Sequence, residues 1–316
     1  MRILVTRKIH PKAVELLTSR YEVDYIAKNE PLAYDFLIGN AEKYQGILCC
    51  VSEKIDADFL WTARTNLKII SNMAAGLDNI DVKTALSLGI EVRNTPDVVT
   101  ECTADFTLAL ALSLLRKIPR AQDYIRCNKW ISWDPEIFLG RNLQDLTWGI
   151  IGLGRIGRAV AKRLIAFGCH LIYHDPYVTL DSTQDGLVEL KKSTLNELLR
   201  LSDIISLHVP LTRETACLIN SKSLERMKKT ALLINMARGG VVNTFDLITT
   251  LKNKEIGGIA FDVFDPEPLT GNHEIFQFDN VIITPHIGTA TEECRRDMAV
   301  MAAKNIVDFF NKEHNQ

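Results

Sequence analysis

Apolar runs alternate with helical stretches along most of this chain, and that alternation restricts the fold more than any other feature of the sequence. Before residue 97 the apolar runs are 3–5, 23–26, 47–51, 67–71 and 90–92. From residue 146 onward they are 148–151, 171–174, 204–207, 231–234, 258–261 and 281–283. Because neighbouring parallel strands are joined through a crossing helix, the two series predict parallel sheets with helices on their faces.

The length of the chain favours two domains, since 316 residues are many for one hydrophobic core. We place the first domain at residues 1–97 and the second at 98–285. The final helix, 292–310, is expected to pack back on the first domain, which residues 286–316 would then complete. The six runs of the second series fit a doubly wound Rossmann fold, and the smaller, discontinuous first domain is expected to be flavodoxin-like.

Composition and charge exclude several classes of protein. The net charge of −2 gives no basic surface for nucleic acid. The longest apolar run, 108–115, is far shorter than the roughly 20 residues that span a bilayer, and the apolar run at 3–5 is too brief for a signal-peptide core. The seven cysteines lack paired spacing, so we predict neither disulfides nor a metal site and expect a cytoplasmic protein with reduced thiols.

Residues 100–117 predict a helix that is apolar nearly all round, with Phe106, Leu108 and Leu112 among its large side chains. Such a helix must be buried on every side, and one contact within a domain is not expected to cover it. Closed two-fold dimers are the commonest assembly. We therefore expect a symmetric homodimer formed through this helix, with the next loop, which carries Trp130 and Trp133, placed to reach the partner.

A glycine-rich motif, Gly152-Leu-Gly-Arg-Ile-Gly157, directly follows the run 148–151 and opens a helix. Glycines there allow a tight turn, close approach of the backbone to a pyrophosphate, and tight packing of helix on strand. The free amides at the helix N-terminus would face the phosphates. The motif alone is weak, but its position between strand and helix predicts a dinucleotide site.

Asp175 ends the next strand, eighteen residues past Gly157. A carboxylate at this point accepts hydrogen bonds from the ribose hydroxyls of a dinucleotide and repels a 2′-phosphate. Asp175 also precedes a proline, so a simple role in a turn is the alternative. We favour the ribose role, which predicts NAD(H) rather than NADP(H).

Three ionisable side chains follow three successive apolar runs: Arg238, Glu267 and His286. Because the carboxyl ends of parallel strands meet at one edge of a sheet, we expect the three groups to lie close together. Each has an ordinary explanation when taken singly. Together, a cation, a carboxylate and an imidazole are what the reduction of a carbonyl beside a carboxylate requires.

These motifs are similar to those of the D-isomer-specific 2-hydroxyacid dehydrogenase family. The similarity covers nearly the whole chain in order, through segments 152–157, 208–212, 235–239, 262–268 and 285–288. Further segments resemble glyoxylate/hydroxypyruvate reductases in particular, namely 46–52, 66–81, 94–100 and 130–140. The resemblance implies an NADH-dependent reduction of glyoxylate or hydroxypyruvate to the D-2-hydroxy acid.

The resemblance also implies roles for the charged residues. Arg238 would bind the substrate carboxylate and keto oxygen as a fixed, charged fork. His286 would donate a proton to the carbonyl oxygen while Glu267 holds the other ring nitrogen. The backbone amides of Ala75 and Gly76 would bind the substrate carboxylate.

Further contacts are implied in the same way. Trp133 would reach the substrate of the partner subunit, although a loop tryptophan with a packing role is the alternative. The residues expected to contact the cofactor are Thr103, Gly152, Gly154, Arg155, Ile156, Gly157, Asp175, His208, Pro210, Ala237 and Asp262.

Two alternatives stay open. The substrate could be another 2-hydroxy acid, such as lactate or phosphoglycerate, although the arginine that phosphoglycerate dehydrogenases usually place after the strand matching 47–51 is replaced here by Val51-Ser52. A non-catalytic, NAD-sensing protein with this fold could also retain the charged residues, since fold alone does not give function.

Overall fold

The structure, a computed structural model, describes residues 1–179 and 190–314. The chain divides into two compact units, one made of Met1–Val99 with the segment that begins at Thr289, the other of Thr100–Gly288. The divisions lie a few residues beyond those expected after residues 97 and 285. At the second junction this is because the N–H groups of Ile287 and Gly288 donate hydrogen bonds to the carboxylate of Asp262.

The first unit is built on a five-stranded parallel sheet. Its strands are β1 (Arg2–Val5), β2 (Glu22–Tyr25), β3 (Gly46–Cys49), β4 (Ile69–Asn72) and β5 (Glu91–Arg93). They lie in the order β2-β1-β3-β4-β5, with Leu4 paired to Asp24 on one side and Ile47 on the other. This is the flavodoxin-like order.

Four short helices connect these strands. They are α1 (Pro11–Thr18), α2 (Tyr34–Gly39), α3 (Ala57–Ala63) and α4 (Val82–Ser87). Asp56 accepts a hydrogen bond from the N–H of Phe59 at the start of α3, and Asp81 accepts one from Thr84 at the start of α4. These caps satisfy amides that have no acceptor inside a helix, so the sequence itself fixes where both helices begin.

The second unit contains a seven-stranded parallel sheet. Its strands are β6 (Thr147–Ile151), β7 (His170–His174), β8 (Lys191–Lys192), β9 (Ile204–Leu207), β10 (Leu232–Asn235), β11 (Gly258–Phe261) and β12 (Val281–Ile283). Their order, β12-β11-β10-β9-β6-β7-β8, is the Rossmann order with one further strand at the β12 edge. The six predicted strands missed β8 because it consists of two exposed lysines. The predicted pair of parallel-sheet α/β domains is confirmed.

The helices of the second unit include the apolar helix that the sequence predicted. They are α5 (Thr100–Leu115), α6 (Ile118–Arg126), α7 (Arg155–Ala166), α8 (Leu195–Leu201), α9 (Ser221–Glu225) and α10 (Thr244–Lys252). Leu108, Leu110 and Leu114 of α5 are buried within this unit, where α5 packs against α7, β10 and β11. Phe106 and Leu112 of the same helix are only partly buried, so the expected dimer contact through α5 stays a prediction.

The last helix, α11 (Glu292–His314), belongs to the first unit. It packs against α1, β3 and β4, where Ala299, Ala302 and Ala303 are fully buried. The Ser71 hydroxyl on β4 donates to the carbonyl oxygen of Ala302 at 2.8 Å. Small side chains on α11 allow this close approach between helix and sheet.

Two features are absent from the described residues. None of their helices has both the length and the apolar character needed to cross a bilayer. They also contain no group of three or more side chains that could hold a metal ion. All seven cysteines are unpaired, and burial raises the pKa of the Cys50 thiol to about 12.

Candidate active site

The glycine-rich loop joins β6 to α7 and leaves open space at one position only. Gly152 has a φ of +92°, and a Cβ there would lie 2.8 Å from the carbonyl group of His208. A Cβ on Gly157 would clash with the carbonyl oxygen of Gly152. A Cβ on Gly154, in contrast, would meet no atom within 4 Å. Gly152 and Gly157 are therefore required by the fold, and Gly154 borders free space.

Helix α7 begins directly at that space. Gly154 is its N-cap, and Arg155 and Ile156 form the start of its first turn. Amides of a first turn have no acceptor inside the helix, and the helix dipole favours negative charge at this end. The loop and the helix start therefore fit the pyrophosphate of a dinucleotide.

Asp175 lies just after β7 and binds both the glycine-rich loop and the turn that follows it. Its Oδ2 accepts a hydrogen bond from the N–H of Leu153 at 2.8 Å. Its Oδ1 accepts from Tyr177 and Val178 at 2.9 and 3.1 Å. An ionised carboxylate accepts about four hydrogen bonds, so about one position remains for a ribose hydroxyl. The turn role that the sequence left as the alternative is thus present as well.

His208 and Pro210 follow β9, beside the glycine-rich loop. His208 Nε2 lies 3.0 Å from the Ser206 hydroxyl, which also accepts a hydrogen bond from the Trp148 indole at 2.9 Å. His208 Nδ1 is buried and has no partner among the described residues. Burial lowers the pKa of His208 to about 3, so the ring is neutral at physiological pH.

The loop after β10 holds Arg238. The fully buried side chain of Asn235 accepts from the N–H of Ala237 and donates to the carbonyl oxygen of Arg238, both at 3.0 Å. A Cβ on Gly239 would clash with the backbone of Phe264, so this loop lies directly against the one after β11. The role of Asn235 was missed in the sequence because a buried asparagine at a strand end has no pattern of its own.

Glu267 lies in the loop after β11 and contacts His286, which follows β12. Its Oε2 accepts from His286 Nδ1 at 3.1 Å and its Oε1 from the N–H of Phe264 at 2.7 Å. Partial burial opposes the ionisation of Glu267, but these hydrogen bonds and the charges of His286 and Arg238 hold its pKa below the ordinary value. The second ring nitrogen of His286, Nε2, has no partner in the described parts of the chain.

Asp262 fixes the segment that carries His286. His286 has a φ of +55°, a conformation that costs energy for a residue with a side chain. The buried carboxylate of Asp262 accepts from the N–H groups of Ile287 and Gly288 at 2.8 and 2.7 Å and from the Thr284 hydroxyl at 2.6 Å. Asp262 therefore supports the segment that carries the histidine, and the cofactor contact that the family resemblance implied for it stays a prediction.

The remaining predicted residues of the second unit lie in different places. Thr103 is buried on α5, 3.8 Å from the position that a Cβ on Gly288 would take. Ala237 is buried and accepts from Arg238 Nη1 at 2.8 Å. Trp133 lies in the loop after α6 and is 80% exposed, so it packs against little of its own chain.

Ala75 and Gly76 lie in the first unit, in the loop after β4. Their carbonyl oxygens accept hydrogen bonds from the side chains of Asn94 and Asn72, at 2.6 and 3.0 Å. Within the described residues, the N–H groups of Ala75 and Gly76 donate to no protein acceptor. Backbone amides in this state can bind an anion.

Arg7 lies at the same edge of the first sheet, and its contacts bear on whether a phosphorylated substrate could bind there. Its Nη2 donates to the Ser52 hydroxyl at 2.6 Å and to Glu53 Oε1 at 3.2 Å. A cation therefore lies beside Ser52, although Val51-Ser52 replaces the arginine that phosphoglycerate dehydrogenases usually place after this strand. Glu53 is fully buried and neutralises it, so the pair offers no net positive charge to a dianionic group.

The arrangement in the second unit supports one kind of chemistry. It combines a guanidinium, an imidazole that a carboxylate holds by one nitrogen, and a loop that fits a dinucleotide. The other imidazole nitrogen is available to exchange a proton with a ligand, and the guanidinium can bind a carboxylate.

Comparison with known proteins gives a consistent result. Residues 108–288 match the family model described as D-isomer specific 2-hydroxyacid dehydrogenase, NAD binding domain. The glyoxylate reductase of Aeropyrum pernix is 42% identical over 312 residues, which make up 98% of this chain and 92% of that protein.

Two solved structures are similar over nearly their full lengths. A D-lactate dehydrogenase from Aquifex aeolicus, in complex with NAD and lactic acid, has a TM-score of 0.85 and 30% identity and covers 99% of this chain and 96% of that one. An NADPH-dependent glyoxylate/hydroxypyruvate reductase from Sinorhizobium meliloti, in complex with NADP and malonate, has a TM-score of 0.85 and 32% identity. The match covers 98% of this chain and 93% of that one. Both cofactors therefore occur among similar structures.

Proposed function

We propose that this chain, which belongs to the D-isomer specific 2-hydroxyacid dehydrogenase family, reduces glyoxylate and hydroxypyruvate to the D-2-hydroxy acids with NADH. Its family makes it an oxidoreductase that acts on CH–OH groups. The observation that supports the proposal most is the 3.1 Å contact between His286 and Glu267, beside Arg238 at the carboxyl edge of the NAD-binding domain. Glyoxylate is favoured because several relatives of about 40% identity are glyoxylate reductases.

Arg238 is the residue we assign to the substrate carboxylate and keto oxygen. Its backbone is fixed by Asn235 and its guanidinium by the carbonyl oxygen of Ala237. A guanidinium cannot be deprotonated at physiological pH and offers its donors as a planar fork. These properties suit a ligand with two adjacent oxygen atoms.

His286 is the residue we assign to the proton. Its Nδ1 donates to Glu267, so Nε2 is the nitrogen left to exchange a proton with the carbonyl oxygen. Because Glu267 stays ionised, its charge stabilises the imidazolium that donates this proton. In the reverse direction the neutral ring accepts it. Proton transfer from a placed group contributes about 10²–10⁴ in rate.

Bound NADH would supply the hydride that reaches the carbonyl carbon. The chain holds the dinucleotide through the space at Gly154, the amides at the start of α7 and one remaining acceptor position on Asp175. The negative charge of Asp175 disfavours a 2′-phosphate, which is our reason to propose NADH over NADPH.

The first unit supports a small, singly charged substrate. The loop after β4 has small side chains at Ala74, Ala75 and Gly76, and its amides are the ones we assign to the substrate carboxylate. The ion pair of Arg7 and Glu53 has no net charge, so it offers no partner for a second, dianionic group. We therefore favour glyoxylate and hydroxypyruvate over a phosphorylated 2-keto acid.

The test compares the initial rates of reduction of four 2-keto acids. Glyoxylate, hydroxypyruvate, pyruvate and phosphohydroxypyruvate are each supplied with NADH or NADPH, and consumption of the cofactor is followed by its absorbance. We expect the highest kcat/KM with glyoxylate or hydroxypyruvate and NADH. Higher values for pyruvate or the phosphorylated acid would reject the substrate, and higher values with NADPH would reject the cofactor.

His286→Ala tests the assigned proton donor. We expect kcat to fall by about 10² or more because the carbonyl oxygen loses its acid, while NADH affinity, measured by fluorescence, stays near that of the wild type. His170→Ala is the control, since His170 is an exposed histidine on β7. Wild-type turnover in His286→Ala would remove His286 from the mechanism.

A homodimer is the second part of the proposal, and exposed apolar side chains next to α5 in the sequence support it. Helix α6 has no buried residue, and its Ile125 is 55% exposed. In the loop that follows, Ile131 and Trp133 are 95% and 80% exposed. Large apolar side chains exposed in this way are typical of an association site, and a two-fold pair of identical surfaces would cover them. Trp133 would then be free to serve the partner's site.

Mixed subunits test this exchange directly. His286→Ala and Trp133→Ala chains are each inactive or weakly active, and they are unfolded and refolded together. If Trp133 serves the partner, every mixed dimer regains one complete site, and about a quarter of wild-type activity should return. If Trp133 acts within its own chain, or if light scattering shows a monomer, no activity is regained.

A further inference from the structure

Three successive peptide groups of the loop after β4 are held by their carbonyl oxygens. Ala74 O accepts from the N–H of Thr95 at 2.8 Å. Ala75 O accepts from Asn94 Nδ2 at 2.6 Å. Gly76 O accepts from Asn72 Nδ2 at 3.0 Å. All three donors belong to the first unit, so the loop is fixed by the sheet that carries it.

This arrangement determines where the amides of the loop point. In a trans peptide group the C=O and the following N–H point in opposite directions. A carbonyl group that is held toward Thr95, Asn94 or Asn72 therefore turns the next N–H away from these residues. The N–H groups of Ala75 and Gly76 are two of those affected, and no described residue accepts from them.

The two asparagines are themselves fixed. Asn72 is fully buried, and its Nδ2 also donates to Asn79 Oδ1 at 2.9 Å. Asn79 Nδ2 donates in turn to the carbonyl oxygens of Cys50 and Glu53, both at 3.0 Å, which ties the loop to the end of β3. The backbone of Asn94 accepts from Asn305 of α11 at 3.1 Å.

We propose that Asn94 is a positioning residue that holds the carbonyl oxygen of Ala75 and thereby aims the amide of Gly76 at the carboxylate of the substrate. The inference rests on the proposed function, in which the amides of Ala75 and Gly76 bind a 2-keto acid. It adds that the binding strength of the loop depends on a side-chain amide that does not touch the substrate. Because an anion bound in this way is held equally before and during the reaction, its loss raises KM more than it lowers kcat.

Asn94→Asp is the decisive variant because it keeps the shape of the side chain and removes its donor. A carboxylate beside the carbonyl oxygen of Ala75 repels it, so the peptide group between Ala75 and Gly76 should rotate. The loss of one hydrogen bond to an ionised ligand lowers the affinity for that ligand by about tenfold or more. We therefore expect KM for glyoxylate and the inhibition constant of oxamate to rise about tenfold, with kcat changed much less and NADH affinity unchanged. Asn94→Gln, which keeps an amide donor, should restore part of the loss.

Asn66→Asp is the matched control. Asn66 Nδ2 donates to the carbonyl oxygen of Glu42 at 2.6 Å, the same kind of bond with the same length in the same unit, away from the loop. The proposal is supported if Asn94→Asp raises KM and Asn66→Asp does not. Equal effects of the two variants, a change in kcat alone, or a loss of activity that follows melting temperature in both would overturn it.

A failure of the proposed function is recognised separately. If the wild type turns over no 2-keto acid, oxamate binding is measured by the backbone amide NMR shifts of Ala75 and Gly76, which needs no turnover. A shift at the Gly76 amide that Asn94→Asp abolishes would support the positioning role on its own. If oxamate leaves the shifts of both amides unchanged in the wild type, the positioning role is rejected.

Discussion

The molecule contains two loops whose backbone amides suit an anion, and they are built in different ways. The loop at 152–157 uses glycines and the start of α7, so regular helix geometry aims its amides. The loop after β4 has no helix at this point, and asparagine side chains from β4 and from the segment after β5 hold its carbonyl groups instead. The same chemical result is reached once through backbone geometry and once through side-chain donors.

The difference explains why one loop is easy to recognise in a sequence and the other is not. Helix geometry demands glycine where a Cβ would clash, and those glycines appear at fixed spacing within six residues. Side-chain donors can come from anywhere that the fold brings close, so Asn72 and Asn94 lie twenty-two positions apart without a pattern. Substitutions of single glycines in the first loop test its dependence on backbone geometry.

The largest effect is expected at Gly157. Its Cβ would clash with the carbonyl oxygen of Gly152, so Gly157→Ala must move either the loop or α7. We expect a loss of about 3 kcal/mol in the free energy of unfolding, together with loss of NADH binding. Urea unfolding and NADH fluorescence measure the two effects.

Gly154→Ala is the matched variant, since a Cβ at this position meets no protein atom within 4 Å. The free energy of unfolding should change by less than about 1 kcal/mol, while NADH affinity should fall because the methyl group occupies space beside the phosphates. Normal NADH binding in Gly154→Ala would mean that the cofactor does not approach the loop there. Equal destabilisation by both variants would contradict the geometry of the loop.

A smaller effect is expected at Asp175. Asp175→Ala removes the charge that repels a 2′-phosphate, so the ratio of kcat/KM for NADH over NADPH should narrow by about tenfold or more. The variant also removes the acceptor of three backbone N–H groups, which should lower the melting temperature. Asp175→Asn keeps the size of the side chain and separates the two causes. A wild type that already prefers NADPH would contradict the role of Asp175.

The smallest effect is a dependence of stability on pH at Glu267. Its pKa is lowered in the folded chain, so its ionised form stabilises the fold above its ordinary value of 4.5, and this contribution is lost as the pH falls through the lowered value. Glu267→Gln removes the titration. We expect the wild type to melt at a higher temperature than the variant near neutral pH, with the two converging in acid. A difference that grows as the pH falls would have the wrong sign.

Much of the candidate site could be read from the sequence because it lies at strand ends. Arg238, Glu267 and His286 follow apolar runs, and the parallel order of β10, β11 and β12 brings those ends together. The contact between His286 and Glu267 is the result. What the sequence did not reveal is the support for these residues, given by Asn235 and Asp262, since a buried polar residue can be assigned only when its partners are known.

The prediction for α5 is only partly decided for a related reason. An even distribution of apolar residues indicates burial on all sides, but the pattern is the same whether the covering surface belongs to the same domain or to another chain. In the structure α5 packs against α7, β10 and β11, and Phe106 and Leu112 stay partly buried. Further exposed apolar side chains lie on α6 and in the loop with Trp133.

The sequence by itself determined the alternation of strands and helices, the two parallel sheets, the glycine-rich loop and the order of the charged residues, because each depends on local periodicity or on spacing of a few residues. Only the tertiary structure decided which surface covers α5, that Arg7 is neutralised by Glu53, and that Asn72 and Asn94 hold the loop after β4. These contacts join residues that are distant in the chain, and a hydrogen-bond partner is selected by where the backbone places it, which no local pattern records.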